Sequence, residues 1–180
     1  MVEENLLRAS RLIKSFKEVA VDQTAEDERE FNLREYVEQV VMSLSPKLRT
    51  TSVRVSVDAI DQNLVLKTAP GPIAQILTNL IMNSLIHGFD ENQPGEINIS
   101  ARQISTDLEL LYSDSGKGIT QENLKRIFEP FFTTKRSHGG SGLGMHLVYN
   151  IVTKKYSGKI TCTSEPGRGV LFRMMFPALF

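Results

Sequence analysis

Cysteine is almost missing from the 180-residue chain. Cys162 stands alone, which excludes an internal disulfide and any metal site built on cysteines, and it fits a reducing compartment. Neither sign of charge prevails: 21 basic residues balance 21 acidic ones, so no net field draws the chain to nucleic acid or to an anionic membrane surface. Any phosphate binding must therefore be local. No apolar run reaches membrane-spanning length, and "NLLRASRLIKSF" near the start mixes charges with its leucines, unlike a signal peptide. The three histidines, His87, His138 and His146, are too scattered to propose zinc. "KRSH" is too short to count as a nucleic-acid patch.

What is present is enough for one well-buried core, or for one domain with an appendage. Residues 1–20 read as an amphipathic helix, with Leu6, Leu7, Ile13, Phe16 and Val19 at near-helical spacing between basic residues. It starts without a capping residue, as a helix cut from something longer or one frayed at its N-terminus would. The acidic "DQTAEDERE" reads as a linker. From Phe31 onward, helix and strand periods alternate. Strands are expected at Phe31 to Leu33, Ser52 to Val57, Asn63 to Lys67, Glu96 to Gln103, Asp107 to Asp114, Lys159 to Ser164 and Val170 to Phe176. Helices are expected up to about Leu48, from about Gly71 to His87, around Gln121 to Ile127, and up to about Tyr156. Helices clustered among hairpin-linked strands imply an α+β fold, a two-layer α/β sandwich with helices on one face of a mixed sheet of about five strands.

Three stretches carry chemistry. In "GPIAQILTNLIMNSLIHGF", Gln75, Asn79, Asn83 and His87 recur every four residues and form one polar stripe on an otherwise apolar helix. A solvated helix face usually carries Lys and Glu, whereas this stripe carries amides and an imidazole. Amide oxygens suit a hard cation such as Mg²⁺. In "DSGKGI", Asp114 closes a predicted strand, where a carboxylate can accept a hydrogen bond from an exocyclic amine. Gly116 and Gly118 would let the backbone lie flat beneath a planar ring, although a plain turn carries the same pattern. In "SHGGSGLGMHLV", Gly140, Gly142 and Gly144 are spaced G-x-G-x-G, which satisfies neither the dinucleotide fingerprint nor the Lys-Ser/Thr ending of a P-loop. What survives is an anion cradle of backbone N–H groups at a helix start, or a glycine-rich surface loop.

The ordered set "NLIMNSLIH", "DSGKGI", "FEPFFTTK" and "GGSGLGMHLV" resembles the N, first G, F and second G boxes of sensor histidine kinases, within the GHKL superfamily of ATP-binding domains. The resemblance covers about residues 29–177 and implies the Bergerat-type ATP-binding fold, with ATP and Mg²⁺ as cofactors. It implies that Asn83 coordinates Mg²⁺, with Asn79 and His87 at the phosphate end, and that Asp114 binds the adenine amine with Gly116, Gly118 and Ile119 beneath the ring. Phe131, Thr133, Thr134, Lys135 and Arg136 would belong to an ATP lid. Gly140, Ser141, Gly142, Leu143 and Gly144 would close on the phosphates. Many family members carry Lys or Arg where this chain has Ile86, so one phosphate contact would be either missing or supplied by the lid. The closing "SEPGRGV" is similar to the family's last glycine motif, except that Val170 stands where Thr is common.

ATP-driven clamps of the same superfamily, such as DNA gyrase, carry a water-activating Glu four residues before the metal-binding Asn. Here that position is Asn79, which cannot act as a base. The resemblance therefore implies a protein-histidine kinase, with a clamp-type or non-catalytic nucleotide-binding module as the alternative. No histidine of the chain is followed by Glu or Asp and then Pro, as family acceptors are, so the acceptor is expected upstream of Met1. Residues 1–22 would be the end of a dimerisation hairpin, 23–30 a linker and 31–180 the catalytic domain. The implied partners are that hairpin and a response regulator, with no nucleic acid. The full-length protein would be a homodimer, and this part of it a cytoplasmic domain of a protein open to anchoring in the inner membrane.

Overall fold

Local sequence signals set the helix ends. The computed structural model of the chain describes residues 27–57, 59–134 and 142–180. The expected helix over residues 1–20 and the first half of the expected linker over 23–30 lie outside these, as do Lys135, Arg136, Gly140 and Ser141. The first strand, β1 (Arg29–Asn32), begins two residues before the sequence pattern suggests and passes directly into α1 (Leu33–Ser43). Asn32 caps that helix by accepting the Glu35 N–H at 3.0 Å, and Glu35 places a carboxylate in the positively polarised first turn. Leu33, Tyr36, Val37 and Val40 recur at helical spacing and are buried. A single turn, α2 (Ser45–Leu48), follows.

Strands β2 (Val53–Ser56) and β3 (Val65–Thr68) lead to α3 (Pro70–Asn83), which takes Pro70 in its first turn, where the missing N–H has no intrahelical partner to lose. Ile73, Ile76, Leu77, Leu80 and Ile81 of α3 are buried, and the helix packs against α1 on one side and α5 (Gly144–Asn150) on another; the single turn α4 (Gln121–Leu124) lies between α3 and α5 in the chain. The pattern expected one helix from Gly71 to His87. The structure gives an α-helix to Asn83 and then a wider π turn over Ser84–Gly88. A second π turn, Ile151–Lys155, ends α5. Such turns relax the helical repeat and re-aim side chains, and they collect at functional sites.

The main sheet has the order β2-β4-β5-β7-β6, with β4 (Gly95–Ile104), β5 (Asp107–Asp114), β6 (Lys159–Ser164) and β7 (Val170–Pro177). β2 runs parallel to β4 and every other neighbour is antiparallel, so the sheet is mixed. β1 and β3 form a separate two-stranded ribbon. On central β5, Leu108, Leu110, Tyr112 and Asp114 share the buried face toward the helices, which puts an acidic side chain at the edge of the core.

The other face of β5 holds Glu109, whose two carboxylate oxygens accept from Arg102 Nε at 2.5 Å and Arg173 Nε at 2.6 Å. The side chain is 2 % exposed because it lies beneath those half-open arginines rather than in the core. Burial opposes its charge, but the hydrogen bonds and charges of Arg102 and Arg173 outweigh burial and hold its carboxyl below the usual range. A carboxyl lowered on folding adds stability above its unfolded pKa, and that stability is lost as pH falls through the folded value. Glu109→Gln is therefore expected to cost roughly 1 kcal/mol near neutral pH, the scale of a partly screened pair, and to flatten the acid limb of stability. Melting curves across that pH range would check this, and an unchanged acid limb would rule it out.

Candidate functional site

Between α3, the end of β5 and the start of α5 lies a cavity of about 440 Å³. Its walls bring together Asn79, Asn83 and His87 from α3 and its π turn, Asp114, Gly118 and Ile119 from β5 and the loop after it, and Thr133, Thr134, Gly142 and Gly144 from farther along the chain. Three predicted residues do not line it. Phe131 is 62 % exposed with φ of 64°, and Phe132 takes its place in the wall. Leu143 is also exposed. Gly116 instead lies under Gly88, where a Cβ would come within 2.6 Å of the Gly88 carbonyl oxygen. Gln75, counted in the stripe, contributes only its carbonyl, which accepts the Asn79 side-chain N–H at 2.7 Å.

That last bond orients one end of the cavity. With its nitrogen held by Gln75, Asn79 turns its Oδ1 toward Gly144, and a Cβ on Gly144 would stand 2.7 Å from that oxygen and 3.9 Å from Asn83 Nδ2. Glycine at 144 thus keeps open the space that the two amides face. His87 Nδ1 lies 3.2 Å from Thr134 Oγ1, which ties the far end of the stripe to the segment after Phe132. Among the described residues, no group of three or more His, Cys, Asp or Glu could hold a metal. A cation here would have to rest on amide oxygen and on the oxygens of a ligand, an arrangement that suits Mg²⁺ better than zinc.

The opposite end is built around Asp114, which is 6 % exposed. Its Oδ1 accepts the Gly116 N–H at 2.9 Å and its Oδ2 accepts the Ser84 hydroxyl. Burial raises its pKa, and the bonds from Ser84, Gly116 N–H and Val170 N–H oppose that rise. Burial also lifts Tyr112 far above the ordinary tyrosine value, and it pushes the Cys162 thiol up to about 12, with the Asp114 charge adding to both.

Glycines let the chain close on this carboxylate. Gly118 (φ 69°) could not take a Cβ without meeting the Glu165 carbonyl oxygen at 2.1 Å, and Gly169 (φ 70°) would place one 1.8 Å from the Asp114 carbonyl oxygen. Ser164 Oγ accepts the Ile119 N–H at 2.8 Å and donates to the Gly169 carbonyl at 2.6 Å, clasping the two glycine loops together.

Sequence reasoning missed Ser84, Tyr112 and Ser164 at this end, and placed Gly169 in a glycine motif without a role. Tyr112 was within reach of the period-2 rule, since it sits two residues before Asp114 on the same face of β5. Ser84 and Ser164 carry no such signal, because their partners lie 30 and 45 residues away.

The family model for the histidine kinase-, DNA gyrase B-, and HSP90-like ATPase matches residues 68–179. Sensor histidine kinase ZraS of Salmonella typhimurium is 30% identical over 149 residues, 82% of this chain and 31% of ZraS. Among solved structures, the nucleotide-free catalytic domain of histidine kinase ThkA is similar with a TM-score of 0.69 and 30% identity, over 84% of this chain and 96% of that one. ThkA in complex with response regulator protein TrrA is similar with a TM-score of 0.67 and 25% identity, over 98% of this chain and 49% of that one. The chain spans 26% to 31% of the length of the first curated relatives it matches.

Proposed function

Because the chain belongs to the histidine kinase-, DNA gyrase B-, and HSP90-like ATPase family, we propose that it is the ATP-binding catalytic domain of a sensor histidine kinase. It hands the γ-phosphoryl group of ATP to a histidine on a dimerisation hairpin. One observation carries the choice of transfer over hydrolysis: Asp114 is the only acidic side chain among the described residues of the cavity wall, and both of its oxygens are already engaged, by Ser84 and by the Gly116 N–H. Among the described residues no carboxylate of the cavity wall other than Asp114 is present to activate water, and Asn79 cannot do so. Phosphoryl transfer asks for positioning and charge neutralisation instead.

In this reading Asp114 accepts the adenine amine, while Gly118 and Ile119 lie along the ring and Gly116 holds the loop beneath the π turn. Asn83 would hold Mg²⁺ through its amide oxygen, with Asn79 and His87 flanking the phosphates. Mg²⁺, when bound, neutralises phosphate charge. Thr133, Thr134, Gly142 and Gly144 line the phosphate end, and Phe131 and Leu143 flank it. Lys135, Arg136, Gly140 and Ser141, outside the described residues, are proposed to complete it. The similarity to ThkA in complex with TrrA supports a response regulator as the downstream partner. A homodimeric full-length protein is part of the proposal. None of the described helices is long and apolar enough to cross a membrane. A cytoplasmic position, with any membrane anchor elsewhere in the full-length protein, is part of the proposal.

The test is to incubate the chain with Mg²⁺ and γ-labelled ATP, with and without the histidine-bearing hairpin of the same protein. Acid-labile label should appear on the hairpin and not on the chain alone. Free phosphate without transfer would favour a clamp-type ATPase, and bound ATP with neither outcome a non-catalytic module. Stoichiometric label on His87, His138 or His146 would overturn the external acceptor.

A further inference from the structure

Asp114 is held by more than its own loop. Ser84, the first residue of the π turn, is 5 % exposed and donates to Asp114 Oδ2, and its oxygen lies 2.7 Å from the hydroxyl of fully buried Tyr112. That hydroxyl lies in turn 3.1 Å from the Leu80 carbonyl oxygen, one helical turn before Ser84. With Asp114 ionised, these three contacts share two hydroxyl protons. Ser84 gives its proton to the carboxylate, so the contact between the hydroxyls must be donated by Tyr112, whose single proton divides between Ser84 and the Leu80 carbonyl. The Ser84 dipole then points at the carboxylate, and the share of the Tyr112 proton that Ser84 accepts strengthens that bond in a largely buried site.

The carboxylate has about four lone-pair sites, and Ser84 on Oδ2 and the Gly116 N–H on Oδ1 occupy two from the protein side. Acceptor capacity remains for the cavity, whose wall Asp114 lines. We propose that Ser84 and Tyr112 are positioning residues that aim this remaining capacity of Asp114, so that selectivity for a ligand's exocyclic amine depends on two hydroxyls acting through the carboxylate. The proposal rests on the reading of the cavity as an adenine-nucleotide site. It also explains the π turn, which ends α3 at Asn83 and begins with Ser84 beneath β5. The other titratable groups near Asp114 are Cys162 on β6, whose raised pKa keeps it neutral, and Lys117 and His87 in the cavity wall.

The experiment compares binding of Mg²⁺-ATP with Mg²⁺-ITP, which lacks the exocyclic amine, to the 180-residue chain and its Ser84→Ala, Ser84→Thr and Tyr112→Phe variants over acidic to neutral pH. Ser84→Ala should weaken ATP binding about tenfold, the scale of a lost charge-assisted bond, and leave ITP nearly unchanged. Tyr112→Phe should act in the same direction by about threefold, and Ser84→Thr should restore the preference. Ser84 stabilises the charged carboxylate, so its loss should move the acid limb of ATP binding to higher pH. A merely structural role would weaken both nucleotides alike, and that result, in variants whose melting curves show a folded chain, overturns the proposal. An ATP to ITP ratio unchanged in Ser84→Ala does the same while leaving the nucleotide reading intact. If the unsubstituted chain binds neither nucleotide, the proposal and the reading beneath it fall together.

Discussion

Asn83→Ala is expected to abolish the Mg²⁺ dependence of ATP binding and to lower phosphoryl transfer by roughly 10²- to 10³-fold, the cost of removing one preorganised group that meets developing charge. The side chain is half-buried in the cavity wall and, among the described residues, no buried polar partner depends on it, so the fold should survive. Metal-free ATP should still bind through Asp114, because the two ends of the cavity are built from different elements. Calorimetric titration with and without Mg²⁺ separates these effects, and transfer to the hairpin measures the rate. If affinity, metal dependence and transfer all stayed at the level of the unsubstituted chain, the paired amides would be only a polar helix face.

Gly169→Ala should be among the most damaging single methyl additions in the domain. At φ 70° an L-residue meets roughly 1–2 kcal/mol of backbone strain. The added Cβ would also fall 1.8 Å from the Asp114 carbonyl oxygen and 3.1 Å from the Ser115 Cα, both backbone atoms that cannot rotate away. Strain and overpacking together should cost roughly 3–5 kcal/mol, a large part of the stability of a single domain. Any molecules that still fold would have β7 displaced from Asp114, with ATP affinity lost along with stability. Gly167 supplies the control, since its φ is 81° but nothing lies within 4 Å of the position a Cβ would take. Gly167→Ala should therefore lose only the strain, about 1–2 kcal/mol. Equal melting temperatures for the two variants would show that the close approach to Asp114 has no energetic weight.

Most of the local structure was legible before any coordinates. Pro70 and Gly71 announce the start of α3, the apolar spacing from Ile73 to Ile81 gives its buried face, and alternation along Asp107–Asp114 gives β5. These are short-range effects of steric preference and burial, so the residues that cause them are the residues that show them. The lid-side assignments fared less evenly. Phe131 and Phe132 are adjacent and chemically identical, and only the positive φ at Phe131 turns it outward and leaves Phe132 in the wall. A pattern cannot rank two identical neighbours.

By itself, then, the chain determined an α+β order of elements, a stripe of uncharged polar groups on one helix and a carboxylate at the end of a buried strand, because each follows from spacing within a dozen residues. The tertiary structure alone decided that α3 gives way to a π turn at Ser84, and that β2 pairs in parallel with β4 while β1 leaves the main sheet to pair with β3. It alone brought Ser84, Tyr112 and Gly169 onto Asp114, and Ser164 between the two glycine loops. Those contacts join residues up to 55 positions apart, and hydroxyls or glycines taken singly satisfy many local structures equally well. Only the closing of the sheet against the helices selects among them, by requiring that each polar group taken out of water find a partner.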